Sequence, residues 1–154
     1  MNIWIELATV LVEVFLPWYF FSGMLGRTAR PWLLKAAVGA IYAVSLAALS
    51  LLLPSSPLRF TAIMILTYFS AKIYFSKGWL ATLYPTILFF VFAILTDILC
   101  GMLLQSGGIP AGERMGSGTA RLIYNTLSKL FHLLCLYIIL TITKAKRDTY
   151  SPLL

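Results

Sequence analysis

Long apolar runs separated by short polar breaks fill this chain, and the runs have the length of membrane-crossing helices. Five can be drawn, over about residues 3–25, 32–53, 58–75, 79–104 and 119–143. Each is close to the roughly 20 residues that an α-helix needs to cross the hydrocarbon core of a bilayer. The runs are continuously apolar rather than alternating, which predicts helices and not the strands of a barrel. The breaks are Gly26 to Pro31, Pro54 to Pro57, Ser76 to Gly78 and Gln105 to Gly118. Prolines at both ends of the second predict a tight, extended turn. The last is rich in glycine and is expected to be the most mobile segment. Pro17 clashes with the carbonyl of Glu13 and predicts a kink in the first span. The predicted fold is an all-α, polytopic membrane helix bundle of about five spans. It forms a single domain over 1–154, with a basic tail over 144–154.

Composition supports lipid as the solvent. Hydrophobic residues make up 60% and charged residues 11%, against about 25% charged in an ordinary soluble domain. The N-terminus lacks a basic leader region and a small-residue cleavage site, and it carries Glu6 and Glu13 inside its apolar run. It therefore reads as an uncleaved first span.

Charge gives the orientation. The net charge is +7, from 12 Lys and Arg against 5 Asp and Glu. The basic residues lie mostly between the spans, with no arginine-rich patch and interleaved aromatics to suggest nucleic acid. With the N-terminus outside, Arg27, Arg30, Lys35, Lys72, Lys77, Lys144, Lys146 and Arg147 fall inside, and Arg59, Arg114 and Arg121 outside. The bias predicts an N-out, C-in topology in the cell membrane. Trp18, Tyr19, Trp32, Trp79 and Tyr84 fall toward the inner ends, where an aromatic belt sits. Weak attraction to anionic lipid is the expected consequence.

The candidate chemistry is the set of ionisable groups at span depth, since such groups persist where they face a bundle interior, a wet cavity or one another. Glu6 and Glu13 are seven residues apart and share a helix face. Asp97 lies about 12 Å, and Glu13 and Lys129 about 15 Å, below the outer ends of their spans. Opposite charges at similar depth on three helices predict mutual neutralisation. Arg121, Asn125, Ser128, Lys129 and His132 follow helical steps and form a polar stripe on the outer half of span five. That stripe reads as one wall of a cavity open to the outside. Such a network either fixes helix register or faces a ligand or ion.

Catalytic signals are missing. No GxxxxGK[ST], HExxH or GxSxG motif occurs. Cys100 and Cys135 read as small buried hydrophobes, and His132 with Cys135 lacks a third metal ligand. The small residues of span two (Ala36, Ala37, Gly39, Ala40 and Ala43) read as a packing seam. No enzyme, metal or cofactor is expected.

Several stretches carry a resemblance. They are the early acid in span one, the basic turn after it, Phe89 to Gly101 with Asp97 near its end, the glycine-rich outer loop, Arg121 to Asn125, and Leu127 to Leu130. Together they resemble the N-terminal transmembrane sensor region of agr-type sensor histidine kinases of the GHKL superfamily in Gram-positive bacteria. The resemblance implies a receptor module that senses extracellular peptides, often cyclic thiolactones, with Asp97 and Lys129 at the family's polar positions in spans four and five. No GHKL ATP-binding motif is present, so kinase activity is not expected of this chain. Expected partners are membrane lipids, an extracellular peptide, and a second copy or another membrane protein. Two other readings stand beside this one. The first is a small transporter subunit or substrate-binding component with a buried charged site. The second is a scaffold of the cell envelope.

Overall fold

In a computed structural model of the chain the described residues are 3–26, 28, 30–52, 57–108 and 119–150. Side chains are described for these residues except 3–10, 51, 57, 119, 121 and 145–150. Five helices result: α1 Ile3–Leu25, α2 Trp32–Leu52, α3 Pro57–Phe75, α4 Trp79–Ser106 and α5 Thr119–Tyr150. No strand occurs among the described residues. Four of the helices contain segments long and apolar enough to cross a membrane: Trp32–Ser50, Leu58–Phe75, Trp79–Ser106 and Leu122–Lys144. The described side chains of α1 add a shorter apolar stretch, Leu11–Leu25. The all-helical membrane bundle expected from the run lengths is thus the fold observed. The proposed turn over Pro54 to Pro57 and most of the glycine-rich loop lie outside the described residues.

Helix ends follow backbone chemistry. α1 closes on Gly26, whose φ of 77° puts it in the left-handed region, with its N–H donating to the Ser22 carbonyl at 3.1 Å. α3 closes on Ser76, a non-glycine residue at φ 54°, with its N–H donating to the Lys72 carbonyl at 3.0 Å. Both satisfy a carbonyl that the last helical turn leaves without a partner. α1 continues through Pro17 and α4 through Pro85, both buried. One boundary differs from expectation. The fifth apolar run ends at Thr143, but α5 runs on to Tyr150 through the basic residues of the expected tail. Hydropathy marks where hydrocarbon ends. The segment Lys144-Ala145-Lys146-Arg147 still favours helix in water.

The contacts group the chain into two compact units, Val10–Phe90 and Met1–Thr9 with Val91–Leu154. In the first unit α2 and α3 pack as an antiparallel pair. Tyr42 and Thr67 share a hydroxyl–hydroxyl hydrogen bond of 3.0 Å, and Arg59 Nη2 donates to Ser50 Oγ at 2.9 Å. Ser50 is eight residues after Tyr42 and Arg59 eight before Thr67, so the two bonds lie in one register. α1 meets α3 through Phe21, Ala71 and Phe75, flanked by Trp18 and Tyr74. Aromatic rings interlock around this core, with Trp18 4.6 Å from Tyr74 and 5.5 Å from Tyr42, and Phe60 edge-on to Phe90 at 5.2 Å. Offset and edge-to-face rings of this kind add van der Waals contact where lipid offers no hydrophobic gain on helix association.

The distribution of polarity is that of a membrane protein. Thr67, Ser70, Thr82, Thr86 and Thr96 are buried, whereas Leu33, Ile41, Val44, Ile87, Val91 and Ile98 are exposed. The buried threonines satisfy themselves locally. Thr67, Thr86 and Thr96 each donate to the carbonyl four residues earlier, at 2.7–2.8 Å. With no water at that depth, such back-bonding avoids the cost of an unpaired hydroxyl.

Candidate functional site

The second unit holds most of the sequence-predicted site, on the C-terminal half of α4 and on α5. Asp97 lies nine residues before the end of α4 and Ser128 nine after the start of α5. The two helices place them in contact, and Ser128 Oγ donates to Asp97 Oδ1. Tyr124, one turn earlier on α5, points its hydroxyl at the Asp97 carbonyl from 3.5 Å, at the edge of hydrogen-bonding range. The expected neutralisation of Asp97 by Lys129 is not what the hydrogen bonds of Asp97 describe. The group that meets the carboxylate is the hydroxyl of Ser128, the residue next to Lys129. Charge complementarity points to Lys129, whereas Ser128, being uncharged, stands only as a member of the stripe. A hydroxyl donor at helical spacing from Asn125 and His132 was the available signal.

Burial sorts the rest of the stripe. Ser128 and His132 are each 2% exposed, while Tyr124, Asn125 and Lys129 are half-buried. Asp97 itself is exposed, among the exposed apolar residues Ile94, Leu95, Ile98 and Leu99. This departs from the expectation of a carboxylate sealed in the interior. Asp97 sits on the rim of the α4–α5 seam, because Thr96 and Cys100 take the buried positions on α4. The stripe therefore grades from a buried serine and histidine outward to an accessible carboxylate, amide and amine.

Glu13 belongs to the first unit. It is half-buried. The backbone of Glu6 lies on the same helix, but its side chain, like that of Arg121, lies outside the described residues. Among the described residues no cluster of His, Cys, Asp and Glu is arranged to hold a metal. Both cysteines carry free thiols, Cys100 buried and Cys135 half-buried. The first unit also has an apolar groove of about 590 Å³ between α2 and α3, lined by Ala48, Leu52, Ile65 and Phe69 among others.

Chemically, the α4–α5 wall is a hydrogen-bonding surface with one acid and one amine at span depth. It offers acceptor, donor and charge to a polar group. Comparison with protein-family models, with curated proteins and with solved structures finds no match.

Proposed function

We propose that this chain is a non-enzymatic sensor module of the cell membrane, similar in role to the peptide-sensing input domains of agr-type histidine kinases. The observation that carries the reading is Asp97, a carboxylate held by Ser128 yet exposed on an otherwise apolar helix face. A carboxylate serving only to fix helix register would gain most by being enclosed, since ionised groups facing lipid are costly. An accessible one, held by a residue of the polar stripe that also carries Asn125 and Lys129, suits a ligand with polar backbone groups. A peptide entering from the outside would set its amides against Asp97 and its carbonyls against Lys129 and Asn125.

The test uses the full chain in lipid nanodiscs and a panel of synthetic cyclic thiolactone peptides, with binding followed by equilibrium dialysis. Wild type is expected to retain at least one peptide, and Lys129→Leu to lose it without a change in melting temperature. A Lys129→Leu protein that folds and binds normally overturns the reading. The transporter alternative is checked in proteoliposomes, where proton flux abolished by Asp97→Asn would replace the sensor reading.

A further inference from the structure

We propose that the paired turns at one end of the first unit bind the phosphate headgroup of an anionic phospholipid. The inference is independent of the α4–α5 wall and concerns the turn after α1 and the turn between α3 and α4. Three of the hydrogen bonds in this region come from side chains that reach across or along the turns. Thr28 Oγ1 donates to the Tyr74 carbonyl at 3.1 Å, Arg30 Nη2 donates to Ser76 Oγ at 2.8 Å, and Lys35 Nζ donates to the Thr28 carbonyl at 3.2 Å. Segments 46 residues apart in sequence are thereby held side by side. Arg30 comes to rest against the residue that precedes Lys77, and Lys72 occupies the last turn of α3.

Charge at this end is of one sign. From Val14 to Thr96 the chain holds no Asp or Glu. Arg30, Lys72 and Lys77 are exposed and Lys35 is half-buried, and the carboxylate of this unit, Glu13, lies about three helical turns before the end of α1. Helices α2 and α4 both begin here, neither with an acidic residue in its first turn, so their positive dipole ends add to the field. The arrangement calls for an anion. Arg30 gives one N–H to Ser76, which leaves its planar fork able to take a phosphate oxygen pair, with Lys77 as a point charge beside it.

The surrounding rings select a lipid over a free ion. Trp32 is 76%, Trp79 59% and Tyr84 64% exposed, each within the first two turns of α2 or α4. Tryptophan and tyrosine settle at headgroup level, with their apolar bodies toward the acyl chains. A phosphate at Arg30 and Lys77 would thus have its glyceride flanked by indole and phenol rings. A soluble phosphate would use only the cations.

The experiment is native mass spectrometry of the full chain released from micelles containing equal phosphatidylglycerol and phosphatidylcholine. Wild type is expected to retain phosphatidylglycerol preferentially. Lys72→Gln/Lys77→Gln, which leaves all three turn hydrogen bonds in place, should retain about 30-fold less of it. Arg59→Gln removes a cation at the opposite end of α3 and should behave as wild type. Melting in phosphatidylcholine checks that each variant folds, and if the double variant does not, Arg30→Gln is measured in its place. Equal retention of the two lipids overturns the proposal. So does undiminished retention by the double variant, or an equal loss with Arg59→Gln. Displacement of the lipid by millimolar inorganic phosphate would identify a free-anion site and also overturn it.

Discussion

Asp97 was legible as a single acid in a long apolar run, because few side chains cost more at membrane depth. Its partner was not. A serine in a membrane helix leaves no mark in hydropathy or charge, so pairing by opposite sign pointed to Lys129 rather than to Ser128. The buried threonines escaped for the same reason, since a hydroxyl bonded to its own helix leaves no pattern along the chain. The Ser128–Asp97 bond also has a measurable worth. Hydrogen bonds between membrane helices average about 0.6 kcal/mol and reach about 1.7. Ser128→Ala is therefore expected to lower stability by about 1 kcal/mol, read as the shift in reversible unfolding by a denaturing detergent. A loss above about 3 kcal/mol would mean that the carboxylate is instead enclosed and left as an uncompensated charge.

At the scale of the helix, existence and type were written in the run lengths, and helix starts and ends fell within a few residues of expectation. What could not be read was the extent of α5 beyond hydrocarbon, or which turn residues carry left-handed backbone. Gly26 and Ser76 end neighbouring helices in the same conformation with different side chains, which gives a paired prediction. A Cβ added at Gly26 meets nothing within 4 Å, so the cost of Gly26→Ala is purely conformational, about 1–2 kcal/mol. Ser76→Gly relieves that strain but removes the acceptor of an exposed Arg30 hydrogen bond. A net gain of about 0.5 kcal/mol is expected. Opposite signs in thermal melting of the two variants check the assignment. Two losses would show that the Arg30 contact outweighs backbone strain.

For the whole molecule, charge distribution carries the orientation. The polar ends of the first unit separate cleanly: Arg30, Lys35, Lys72 and Lys77 at one, Arg59 at the other. From the positive-inside bias the first set is expected in the cytoplasm. In a chain lacking Cys100 and Cys135, Gly78→Cys should be shielded from a membrane-impermeant maleimide in right-side-out vesicles, and Gln105→Cys should react. Gly78 is suited to the change because a Cβ there has open space. The reverse labelling pattern would invert the topology and place the polar face of α5 on the cytoplasmic side.

The reach of α5 has a mechanical corollary. Its 32 residues form one unbroken helix, about 48 Å of rod at 1.5 Å per residue, against roughly 30 Å of hydrocarbon. On the proposed sensor reading, such a rod is expected to act as a drive shaft, carrying a turn imposed at Ser128 to its far end at Tyr150 with no intervening joint.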